Sequence, residues 1–109
     1  MRTQDGQAPQ AEVTSLGPAS TGRWLVRSHN TTHWLDLDAR LYERRPGPAS
    51  RRFCHDARPV RFTRVEVWPS VGGRMLVWFD DPENPDLMEH WRICSSIRSI
   101  TADATAATS

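Results

Sequence analysis

Hydrophobic positions in this chain come in short runs separated by polar turns, and most alternate with a period of two. Trp24-Leu25-Val26, flanked by Arg23 and Arg27, predicts a first strand near 23–29. His29-Asn30-Thr31-Thr32 follows as a polar turn, with Asn at a position that tolerates positive φ. A second strand is expected over 32–38, with Leu35 and Leu37 on one face and Trp34, Asp36 and Asp38 on the other. Pro46-Gly47-Pro48 breaks any regular element, so residues 39–52 read as a bend and an irregular loop. A short strand at 51–54 then leads into a turn at His55-Asp56-Ala57-Arg58. In 60–68 the alternation slips at Thr63-Arg64, as it does at a β-bulge or where a strand is fully buried along part of its length. Residues 74–80 are apolar on both phases and read as a covered or central strand. After the acidic loop 81–86, a last strand is expected at 88–94. Ile97 and Ile100 suit either a closing 3₁₀ turn or an extended tail packed over the end of the fold.

Strands at this spacing, with no helical periodicity, predict an all-β protein. The expected architecture is a small five- to six-stranded antiparallel barrel or roll, with a two-sheet sandwich as the alternative. Composition sets the limits of the domain. All five Trp, all three Phe and the single Tyr lie in 21–100. Residues 1–20 and 101–109 are rich in small and polar side chains and read as disordered tails around one domain. Hydrophobic residues make up 38% and charged residues 25%, a soluble globular composition. No apolar run approaches the roughly 18 residues of a membrane span. Residues 1–20 hold no apolar secretory core, so a cytoplasmic location is expected.

The series GRWLVRS, WLDLDARLYERRPG, VGGRMLVWF and WRICSSIRSI resembles short all-β proteins encoded by actinobacteria, their phages and mobile elements. The resemblance covers about 24–100 and implies a bacterial or phage origin. It carries over no activity and no functional residue, and Cys54, His55, His90 and Cys94 stand outside its pattern.

Candidate chemistry is sparse. Cys54, His55, His90 and Cys94 form a zinc-type ligand set. On strands, however, 90 and 94 lie about 13 Å apart and neighbours 54 and 55 point to opposite faces, so no metal is expected. Asp36 and Asp38 are spaced like paired carboxylates, and His29 and His33 lie nearby, yet the pattern is that of a half-exposed strand. No nucleophile, phosphate-loop or dinucleotide motif occurs, so neither catalysis nor a cofactor is expected.

Charge points instead to binding. Every basic residue apart from His is Arg, and residues 40–64 hold eight of them against Glu43 and Asp56. Residues 80–90 carry five acids and no Arg. This polarity, with Trp34 on the outward phase, suits a protein partner. The alternative is a nucleic acid held by the Arg-rich segment, with aromatic rings to stack bases. The residues singled out for either role are Trp34, Tyr42, Arg44, Arg45, Arg51, Arg52, Arg58 and Arg61.

Overall fold

The computed structural model describes residues 11–103, and for Ser95 the backbone alone. The described residues are all-β and antiparallel: β1 (Glu12–Val13), β2 (Arg23–Arg27), β3 (Thr31–Asp36), β4 (Leu41–Pro46), β5 (Val60–Val67), β6 (Arg74–Asp80), β7 (Glu89–Ser95) and β8 (Ser99–Ala102). They form one sheet in the order β1-β8-β2-β3-β4-β5-β6-β7. Among the described residues, no helix is long and apolar enough to cross a membrane.

β2 to β7 form a meander, and β8 then returns to pair with β2. Only residues 96–98 link β7, at one end of the order, to β8, near the other. A connection that short forces the sheet to curl until its two ends approach. Backbone hydrogen bonds fasten the approach: Gly72 N–H donates to the Ile97 carbonyl at 2.7 Å, and Arg98 N–H to the Arg27 carbonyl at 2.7 Å. The curl stays open, since β1 and β7 do not pair among the described residues. It also has a weak seam, because β4 and β5 share only the pairs Leu41↔Arg61 and Tyr42↔Val60.

The inward phase of each strand builds the core. Val26, Leu35, Tyr42, Val60, Phe62, Met75, Val77, Phe79, Cys94, Ile97 and Ile100 pack together, with Trp24 and Trp68 against them. The expected slip in β5 is present: register shifts occur between Phe62 and Arg64 and again between Val65 and Val67. Thr63 and Glu66 are the extra residues, and they return Val65 to the inner face and Val67 to the outer.

Three expectations need correction. Residues 41–46 form β4, not part of a loop, because Tyr42 and Arg44 supply an inward phase that ends at Pro46. Residues 51–54 form no strand; they belong to an excursion with positive φ at His55 (69°) and Ala57 (61°). The ordered unit also extends past 21–100. Glu12 and Val13 pair with β8, Leu16 is a core residue, and Thr101 and Ala102 pair with β2. Extended structure, the second of the two expected forms, is what places Ile100 in the core. Residues 1–10 and 104–109, also expected to be disordered, lie outside the described residues.

Candidate binding surfaces and a histidine–aspartate cluster

Two of the eight expected binding residues point inward. Tyr42 is buried, and its hydroxyl hydrogen-bonds His33 Nδ1 at 2.9 Å. Arg44 is buried as well. Its guanidinium donates to Asp56 Oδ2 at 2.5 Å and to the Arg51 carbonyl at 3.0 Å. Asp56 in turn accepts from the Phe53 amide at 2.8 Å, and the Ala57 amide donates to the Arg44 carbonyl at 2.7 Å. The pair therefore pins the 47–59 excursion onto β4, and these two side chains are removed from any surface role.

The remaining six do not gather into one groove. Arg51, Arg52, Arg58 and Arg61 are exposed, but none lines the cleft that contains Trp34 and Arg45. That cleft, of about 750 Å³, lies between the β2–β3 turn and residues 45–49. Its ionisable lining is basic throughout: Arg27, His29, Arg45 and Arg98. Arg45 stacks over the half-buried Trp34 at 4.4 Å and pairs with Glu43, which lies outside the cleft. Arg64 reaches Glu89 at 3.4 Å, an ion pair between the basic and acidic segments. Arg40 instead caps Phe62, and Arg64 also covers Trp78.

A different surface is apolar. On the outer face of β5–β6–β7, cross-strand pairing makes one row of Val67, Leu76 and Ile93 and another of Arg64, Trp78 and Trp91. Val67, Trp91 and Ile93 are exposed there, and Leu87 and Met88 lead into β7 exposed as well. Among the described residues β7 pairs only with β6 and is an edge of the sheet. Along it runs a groove of about 430 Å³ lined by Glu89, His90, Trp91, Arg92, Ile93 and Phe53. The strand has no proline and no bulge. Its Arg92 turns inward, donating to the Cys54 carbonyl at 2.8 Å and lying over Phe53 and Phe79.

The zinc-type set separates in the fold. Cys54 is exposed, Cys94 is buried, and both are free thiols. Burial pushes the Cys94 thiol up to about 11, which leaves it inert at neutral pH. The two histidines do meet, however, on a residue the sequence reading passed over. His90 Nε2 donates to Asp81 Oδ1 at 2.7 Å, and His55 Nε2 lies 3.3 Å from the same oxygen. The left-handed backbone at His55 is what frees it from the alternation of a strand. Phe79 stacks on His90 and meets His55 edge-on, so both rings are held from one side. Asp81 Oδ2 accepts from the amides of Glu83 and Asn84 at 3.1 and 2.8 Å, which fixes Oδ1 toward the imidazoles. The His90 hydrogen bond holds the Asp81 carboxyl well down, at about 2. In the sequence Asp81 is marked only by its place at the start of the acidic loop 81–86.

Asp36 and Asp38 each accept backbone amides, Asp38 Oδ1 from Gly22 at 3.1 Å. β3 ends at Asp36, whose Oδ1 accepts from the Asp38 and Ala39 amides at 3.0 and 2.8 Å and so closes the β3–β4 turn. His33 sits in the core, where burial, aided by the Arg44 charge, pushes its imidazole down to about 3. An unfolded chain takes up that proton near pH 6.5 and the folded chain does not. The stability His33 confers is therefore complete above pH 6.5 and is lost on acidification toward pH 3. Denaturant titrations between pH 6 and pH 4 are expected to show stability falling by up to about 1.4 kcal/mol per pH unit. In His33→Phe that slope is expected to flatten.

Compared with known proteins, the chain matches no family model, no curated protein and no solved structure.

Proposed function

We propose that this chain is a non-enzymatic, cytoplasmic binding module that takes a protein partner along the β7 edge. The observation that carries this reading is the groove beside β7, lined by five consecutive strand residues and Phe53. An extended segment laid there continues the sheet by backbone hydrogen bonds, and its alternate side chains meet Trp91 and Ile93. Contiguous exposed apolar residues at such an edge are the ordinary mark of an interface. Charge specifies the occupant further. Glu83, Asp86 and Glu89 are exposed at the start of β7, where an antiparallel partner strand has its C-terminal end. The partner of this reading is an extended segment with apolar residues at alternate positions and basic residues after them.

A capped peptide of alternating valine and threonine ending in two lysines is the probe. It is expected to bind saturably, and Trp91→Thr with Ile93→Thr to weaken it by at least about tenfold. Both substitutions keep strand propensity at exposed positions, so melting is expected to change little. Equal affinity in wild type and variant would contradict the proposal.

A nucleic-acid reading is supported by one observation, the wholly basic ionisable lining around Trp34. It predicts oligonucleotide binding that weakens steeply with salt and is lost in Arg27→Ala/Arg45→Ala/Arg98→Ala.

A further inference from the structure

We propose that His55, Asp81 and His90 form a binding site for a divalent transition-metal ion of the zinc class. The cluster lies beside the β6–β7 connection, where β6 ends and β7 begins. Its three elements are distant in sequence: the 47–59 excursion, the end of β6 and the start of β7. Each contributes one donor, and all the donor atoms lie within 4.8 Å of one another. Two imidazole nitrogens and one carboxylate oxygen are donors that suit zinc, nickel and cobalt.

The distances fit such an ion. Around a tetrahedral centre with bonds of about 2.1 Å, the donors stand about 3.4 Å apart. Asp81 Oδ1 is already 2.7 Å from one Nε2 and 3.3 Å from the other. Both His–Asp separations are thus within an ångström of the ligating value, and the two imidazole nitrogens lie within 4.8 Å of each other. The outer support is also in place. Asp81 is fixed through its second oxygen by two backbone amides, and Phe79 restrains both rings. All three side chains are largely withdrawn from solvent, at 12% exposure for His55, 8% for Asp81 and 19% for His90. Neither cysteine joins the set: Arg92 approaches Cys54, and Cys94 lies in the core. Three protein ligands leave at least one position open, as in metal sites that take water or an added ligand.

Calorimetry of the chelator-treated full chain with zinc chloride, and separately with nickel chloride, tests this directly. One equivalent is expected to bind and to raise the melting temperature. Cobalt is expected to give visible bands of a low-symmetry site with nitrogen and oxygen donors. His55→Asn, which suits the left-handed backbone, and Asp81→Asn are each expected to weaken zinc by more than about tenfold. Dichroism of both variants verifies that they fold, and His55→Asn alone decides the matter if Asp81→Asn does not. The proposal is overturned if zinc neither releases heat nor shifts melting. It is equally overturned if affinity survives His55→Asn, or falls with Cys54→Ser instead. The β7 peptide experiment is run without metal, so failure of one reading leaves the other intact.

Discussion

Asp56→Ala is expected to destabilise the fold by about 3–5 kcal/mol in denaturant unfolding, a large share of what a domain this size possesses. Among the described residues its carboxylate is the only acid bonded to Arg44, and both side chains are 9% exposed. Removing it strands a guanidinium away from water with only the Ser50 hydroxyl and the Arg51 carbonyl as acceptors. It also releases the Phe53 amide and so unpins the excursion that carries His55. The physical content lies in the contrast with a double variant. Arg44→Met/Asp56→Ala removes the buried charge together with its partner, and is expected to recover much of the loss. If the single variant costs less than about 1 kcal/mol, the pair behaves as an exposed salt bridge and Arg44 is not a core residue.

Phe79→Ala carries the second large effect, about 3–5 kcal/mol, for a different reason. The ring is buried near the C-terminal end of β6 and touches Tyr42, His55, His90 and the Arg92 guanidinium. Its loss opens a cavity where β6 faces β4, at the seam that only two residue pairs hold together. Trp78, the preceding residue, points outward and hydrogen-bonds Glu66. Trp78→Ala is expected to cost clearly less, and equal costs for the two would mean that the inward and outward phases of β6 are misassigned.

How much of this was readable from the chain depends on how each segment announces its inner face. β6 was legible because 74–80 is apolar on both phases, as suits a strand paired on both sides, and the β5 slip because the phase of its hydrophobic residues changes. β4 was hidden because one of its inward positions is Arg44, whose charge reads as surface until Asp56 is seen beside it. Pro46 reinforced the error, although proline is tolerated there because β4 has no β5 partner beyond Tyr42 and is an edge at that end. β1 and β8 carry few large side chains. They become strands through partners far away in sequence, Ile100 against Val13 and Val26. The Arg-rich segment suggested one basic face, but alternation, stacking and the excursion send its guanidinium groups in several directions. For the cluster, the two histidines were visible but were weighed as strand residues, and a left-handed turn at 55 has no sequence signature here. Asp81 looked like any turn-forming acid before a proline.

The most direct measurement of the central claim is an amide-shift titration of the labelled chain with the lysine-ended valine–threonine peptide. The account predicts perturbations concentrated in residues 89–95 and along the outer face of β6, with slowed hydrogen exchange at β7. Perturbations gathered instead at 27–32, 45–49 and 98–99, or none at saturating peptide, would contradict it.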